Sequence, residues 1–239
     1  MQQSQTLDEM HVETSTLVRL SPRQLDATLG TVILPQQVSL IHGPDRAPLT
    51  LVAHAIAAGG VLAGGRSVFL DSGGNYSPNL IRALLGTEAT ESVGRMVVAP
   101  VFGLPDVPTA LEGIHGMDDV RVVVLDSLTG ALNLSGDSGS KKRQRALFRV
   151  LELIRELVLK KAIHFVMTDY SSRDWKTGQV RIIGGNVLAH SIDTSVYCSA
   201  IRTIEDGILV SVERSPVIPL PDSVAIKIGF RGARSLKRR

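Results

Sequence analysis

Between Gly43 and Thr50 the chain reads Gly-Pro-Asp-Arg-Ala-Pro-Leu-Thr, directly after a short apolar run at 38–41. A loop that cradles phosphate reads Gly, four residues, then Gly-Lys-Ser/Thr. Its convergent backbone N–H groups and the positive end of the following helix hold the anion, and the lysine neutralises it. Gly43 and Thr50 satisfy that pattern, but Pro48 replaces the second glycine and Leu49 the lysine. Pro44 and Pro48 have no N–H to give, and Arg46 does not readily take positive φ. Losing the lysine alone removes a charge-assisted contact of about 1.5–3 kcal/mol. Several such losses together weaken triphosphate binding by roughly three orders of magnitude. Arg46 is the nearby side chain with a charge to lend in its place.

Other residues of chemical interest fall into weaker groupings. The six histidines have no metal-ligand spacing, and the single cysteine, Cys198, lies in an apolar strand pattern, so no metal site is expected. Glu152 and Glu156 share a helix surface with Arg149 and Arg155, the pattern of a solvated face. Lys141, Lys142, Arg143 and Arg145 crowd the first turn of that helix. Positive charge there opposes the helix dipole at about 0.3–1 kcal/mol per charge, a sign that a phosphate would reverse. The alternative is a solvated basic patch. The segment 171–183, SSRDWKTGQVRII, carries Arg173, Lys176, Arg181 and the only tryptophan, Trp175. Exposed, Trp175 would stack a nucleic-acid base for roughly 1–3 kcal/mol; buried, it would anchor its loop.

The elements that must position these groups read as an alternation of apolar strands and helices. The 239 residues suffice for one sizeable α/β core, and a net charge of +3 permits a nucleic-acid partner without requiring one. One cysteine suits a reducing compartment, and the polar first fifteen residues are unlike a signal peptide. Residues 47–65 are uncharged over 19 positions, but Pro48, His54 and four glycines argue against a membrane span. Strands are expected at 38–41, 66–71, 96–100, 120–125 and 163–168, and helices at 22–29, 50–58, 79–85, 109–116 and 141–161. Ser21 is the expected cap of the first helix, and Gly59-Gly60 the expected break after the second. A loop over 169–185 and a short helix beginning GGNVLAHS follow. Continuous apolar strands alternating with helices imply a parallel sheet covered on both faces. Three antiparallel strands, at 194–200, 207–213 and 223–228, close the chain. The expected organisation is a flexible arm at 1–20, one core domain at 21–230 and a basic tail at 231–239.

In order along the chain, LDATLG, VSLIHGP, VFLDSGGNYSP, VRVVVLDSLTGAL, FVMTDY, IIGGNVLAH and VERSPVIPLPDS resemble the core domain of the RecA superfamily. The likeness is closest to the strand-exchange recombinases of the RadA type and their RadB-type paralogues. It implies a RecA-like three-layer α/β/α domain, with a mainly parallel central sheet and antiparallel C-terminal strands. By the same resemblance, Asp126 matches the carboxylate that orients a Mg²⁺ shell. Gly73 stands where active members place the glutamate that polarises water, and Asp169 and Tyr170 stand where they carry Asn-Gln. Neither the family's small N-terminal DNA-binding domain nor its Phe-x-x-Ala polymerisation sequence is evident.

The resemblance further implies that the loops before the basic helix and over 171–183 contact DNA. His190 matches a histidine that approaches an adjacent subunit's nucleotide. Pro216 and Pro219, in SPVIP, match a cap over that nucleotide, with Arg214 where an acidic residue is usual. Either these features serve a partner or they are relics. The expected protein is a recombinase paralogue in homologous recombination and DNA repair that has no catalytic residues and no cofactor. It would bind single-stranded DNA, a RadA-type recombinase or another paralogue, as a homo- or hetero-oligomer, with no membrane partner. It would work in the cytoplasm or nucleoid of an archaeon, or in a eukaryotic nucleus. The alternatives are a weak or unconventional DNA-dependent ATPase using ATP and Mg²⁺, or a scaffold subunit that ignores DNA.

Overall fold

Val122, Val123, Val124, Phe165, Val166 and Met167 are sealed from solvent on both faces of a sheet, as their unbroken apolar runs require. The computed structural model describes residues 17–134, 140–173, 180–182 and 185–236. In chain order these form α1 (Arg23–Leu25) and a π-turn (Asp26–Gly30), then β1 (Gln37–Gly43), α2 (Arg46–Leu62), β2 (Arg66–Asp71) and α3 (Pro78–Leu85). There follow α4 (Ala89–Ser92), β3 (Met96–Pro100), α5 (Asp106–His115), β4 (Val120–Asp126), α6 (Leu128–Leu134) and α7 (Ser140–Lys161). The chain continues through β5 (His164–Arg173), β6 (Val180–Ile182), α8 (Gly185–Ser191), β7 (Thr194–Ala200), β8 (Gly207–Arg214), β9 (Val224–Gly229) and β10 (Gly232–Ser235).

The main strand order is β10-β9-β8-β7-β1-β5-β4-β2-β3, with β6 paired to the end of β5. Strands β7, β1, β5, β4, β2 and β3 are parallel, and β8, β9 and β10 turn antiparallel. One core lies between the sheet and α2 and α3; a second lies between the opposite face and α5, α6, α7 and α8. The expected mainly parallel sheet between helices, with an antiparallel C-terminal edge, is the fold observed.

Several boundaries differ from expectation. Helix α2 starts at Arg46, ahead of the Pro48–Thr50 start expected, because a proline at the third helical position removes an N–H that has no intrahelical partner anyway. It also runs through Gly59-Gly60, the expected break. A Cβ on Gly59 would lie 2.5 Å from the Leu20 side chain, and one on Gly60 2.4 Å from Ser67 Oγ, so these glycines admit neighbours. The first helix begins at Arg23 with Pro22 at its N-cap, and Ser21 does not cap it.

The N-terminal arm does not include its last four expected residues. Leu17, Val18 and Leu20 are buried, and the Arg19 N–H donates to the Gly59 carbonyl at 2.9 Å. Likewise Gly232–Ser235, expected in the tail, adds a strand to β9. The loop expected from residue 169 is partly a hairpin of β5 with β6, and α6 takes up residues 128–134, partly expected as loop.

Candidate functional site

The C-terminal ends of β1, β4 and β5 and the start of α2 converge on Asp126. This carboxylate is 1% exposed. The Thr168 hydroxyl donates to one of its oxygens at 2.6 Å and the Thr50 hydroxyl to the other at 2.8 Å. Burial raises the Asp126 pKa above the usual carboxylate value, and the two hydroxyls pull it back part of the way. Thr50 and Asp126 are therefore direct partners.

Only Pro44 and Asp45 separate β1 from α2. Asp45 has no side-chain capping bond to its helix and instead accepts from the Ala200 N–H at 3.2 Å. Gly43 is required by close approach, since a Cβ there would fall 1.8 Å from the Cys198 carbonyl oxygen. Pro48 and Leu49 are buried, and Leu49 is 2% exposed. Beside them lies a cavity of about 250 Å³ lined by Arg46, Leu49, Asp126, Thr129, Thr168 and Tyr170, among others. Asp169 is fully buried and accepts from the Thr129 hydroxyl, whereas Tyr170 is 45% exposed at the cavity wall.

Gly73 faces Arg46. A Cβ at Gly73 would meet an Arg46 guanidinium nitrogen at 2.5 Å, so the arginine fills the space a longer side chain would need. Asp71, two residues earlier, accepts from the N–H groups of Gly73, Asn75 and Tyr76 at 2.9–3.1 Å, which commits its carboxylate to the turn. Sequence reasoning missed His54, which is fully buried in α2. Its Nδ1–H donates to the Thr50 carbonyl at 2.8 Å and its Nε2 accepts from the Ser77 N–H at 2.9 Å. A carbonyl cannot donate and an amide N–H cannot accept here, so these partners select one neutral tautomer. Burial lowers the His54 pKa in agreement.

With this geometry in place, the relatives become informative. The chain is 26% identical over 186 residues to the DNA repair and recombination protein RadB of Halobacterium salinarum R1, an alignment covering 74% of this chain and 78% of the relative. The same values hold for RadB of strain NRC-1. The chain is a homologue of RadB. Its fold matches the crystal structure of the RadB recombinase with a TM-score of 0.73, covering 90% of this chain and 97% of that one at 17% identity. No family model matches.

Elsewhere on this RadB homologue, Lys141, Lys142 and Arg145 are exposed on the first turns of α7, and Arg143 is half-buried. Trp175 and Lys176 lie outside the described residues. Arg173 and Arg181 sit on β5 and β6 at the paired ends of the hairpin. Arg155, expected on a solvated face, instead clamps the base of α8. It donates to Asp193 at 2.8 Å, to the Ser191 carbonyl at 2.9 Å and to the Gln36 carbonyl at 3.4 Å.

His190 is exposed near the end of α8, and Pro216 and Pro219 are exposed in the loop after β8. Ile218, between those prolines, is 86% exposed. Arg214 ties the loop's base to α8, donating to the carbonyls of Ile192 at 2.7 Å and Ala189 at 3.1 Å. A second missed residue is His42, 3% exposed, whose Nε2 lies 2.9 Å from Glu213 Oε2 and 3.1 Å from Ser195 Oγ. Serine and carboxylate share one ring nitrogen, so this is not a nucleophile–base–acid relay, which needs them on opposite nitrogens. Among the described residues no cluster of His, Cys, Asp and Glu is suited to a metal ion, and no helix is long and apolar enough to cross a membrane.

Proposed function

We propose that this RadB homologue acts in homologous recombination and DNA repair as a non-catalytic paralogue. In this reading it binds single-stranded DNA, a RadA-type recombinase or another paralogue. The observation that carries it is the buried Leu49 beside Asp126, at the head of a helix that starts two residues after the strand's glycine-proline turn. The residues present do not fit a magnesium triphosphate. Two prolines remove N–H donors, an apolar side chain replaces the neutralising cation, and Arg46 lies over Gly73. Phosphoryl transfer is mostly positioning and charge stabilisation, and those parts are missing together.

Support for the DNA arm is the exposed basic start of α7. Binding that rests on Lys and Arg falls steeply with salt, by about 0.7 in log–log slope per single-strand phosphate contacted. Titrating single-stranded DNA over a range of salt tests this. Alanine at Lys141, Lys142, Arg143 and Arg145 together is expected to weaken binding and flatten the slope. Unchanged binding would reject the DNA arm. The partner arm draws on exposed His190, Pro216, Ile218 and Pro219, and co-purification with a RadA-type recombinase tests it.

A second reading, a weak ATPase, is favoured by one observation: Arg46 and Asp126 line the same cavity. ATP turnover lost in Asp126→Ala would establish it. Stable hetero-oligomers with flat DNA titrations would point to a scaffold.

A further inference from the structure

Two turns along α7 from Lys141, Phe148 leaves 52% of its surface open. The core does not need this ring, because Leu147, Val150, Leu151 and Ile154 already pack the buried face of α7. Phe148 stands at the junction of two grooves between α7 and α8. The first, about 330 Å³, is lined by Lys141, Gln144, Arg145, Phe148 and Val187. The second, about 480 Å³, continues past Phe148 and carries Glu152, Glu156 and Leu159.

The two grooves differ in the cations they offer. Lys141 and Arg145 make no ion pair or hydrogen bond among the described residues, so their charges are available to an anion. On the far side the cations are already engaged, Lys160 with Glu156 at 2.6 Å and Arg155 with Asp193 at 2.8 Å, so among the described residues that groove offers a phosphate no unpaired cation. An exposed aromatic face beside unpaired cations is the combination that holds a single strand, with phosphates on the cations and a base on the ring. Seven residues of helix separate Lys141 from Phe148, about 10 Å at 1.5 Å per residue.

We propose that Phe148 is a base-stacking platform for single-stranded DNA whose phosphates lie along Lys141 and Arg145, with the contact on α7 ending at that ring. This rests on the DNA-binding reading above and adds a residue and a boundary to it. The groove beyond Phe148 stays free of DNA.

The test compares an oligothymidylate with an abasic oligomer of the same length by fluorescence anisotropy. Phe148→Ala is expected to weaken oligothymidylate binding roughly tenfold. It should leave both the abasic affinity and the salt slope unchanged, since no phosphate contact is removed. Phe148→Trp should bind oligothymidylate within about twofold of the parent. Parent binding that Phe148→Ala leaves intact would overturn the stacking proposal alone. A parent that binds neither oligomer would overturn the DNA-binding reading and this proposal with it. Self-association lost in Phe148→Ala with DNA binding unchanged would assign the ring to a protein partner and overturn the proposal.

Discussion

Asp126 holds its buried carboxylate between two threonine hydroxyls. Its folded-state pKa lies above the ordinary value of 3.8, so ionisation opposes folding as pH rises through the folded value. Asp126→Asn keeps the shape, one acceptor and one donor while removing the buried charge. It is expected to raise stability by about 1 kcal/mol at pH 7, read by urea denaturation, with the gain vanishing at low pH where the carboxyl is protonated in both states. Gly43 sets a harder limit. A methyl 1.8 Å from the Cys198 carbonyl oxygen forces β1 and β7 apart, so Gly43→Ala is expected to cost more than about 3 kcal/mol. The same denaturation curves would show this as a lower midpoint, and a change under 1 kcal/mol would contradict the packing. Pro48 and Leu49 were visible in the sequence as departures from a phosphate-loop pattern. His54 and His42 were not, because their partners lie 23 and 171 residues away.

At the scale of elements, apolar periodicity located most strands and long helices. It misplaced elements whose ends depend on neighbours. Helix α2 extends through two glycines because the segment 17–20 and β2 press against it, which local propensity does not report. β10 exists because Gly232–Ser235 finds an open partner edge on β9; alone, GARS carries no strand signal. Arg214 illustrates the same dependence for a side chain. Sequence order placed it where the family has an acid, but it spends its guanidinium on carbonyls at the end of α8. Arg214→Ala is expected to cost about 1–2 kcal/mol and to speed amide exchange in α8, measured by hydrogen exchange. Unaltered exchange there would show that the clamp contributes nothing.

At the scale of the whole molecule, acid should unfold the protein through buried histidine. His164 opens the central strand β5, with Nδ1 at 2.6 Å from the Leu34 carbonyl and Nε2 at 2.7 Å from Ser39 Oγ. Burial lowers its pKa from 6.5 to about 4, and His54 shifts in the same direction. The unfolded chain therefore takes up protons first. The stability contributed by neutral His164 is complete above pH 6.5 and falls as pH drops towards 4, by about 3 kcal/mol. Denaturant midpoints at pH 7 and pH 4.5 should differ accordingly; equal midpoints would show that these rings are protonated in the fold.

By itself the sequence determined the alternation of strand and helix, the reversal to antiparallel strands at the end and the departure of Pro48 and Leu49 from the phosphate-loop pattern. Each of these is written in nearby residues, as apolar period or as motif spacing. Only the tertiary structure decided that Asp126 meets Thr50 and Thr168, that Arg46 covers Gly73, and that Phe148 stands open where α7 meets α8. Such meetings join residues far apart along the chain, and only strand order and helix packing bring them within reach.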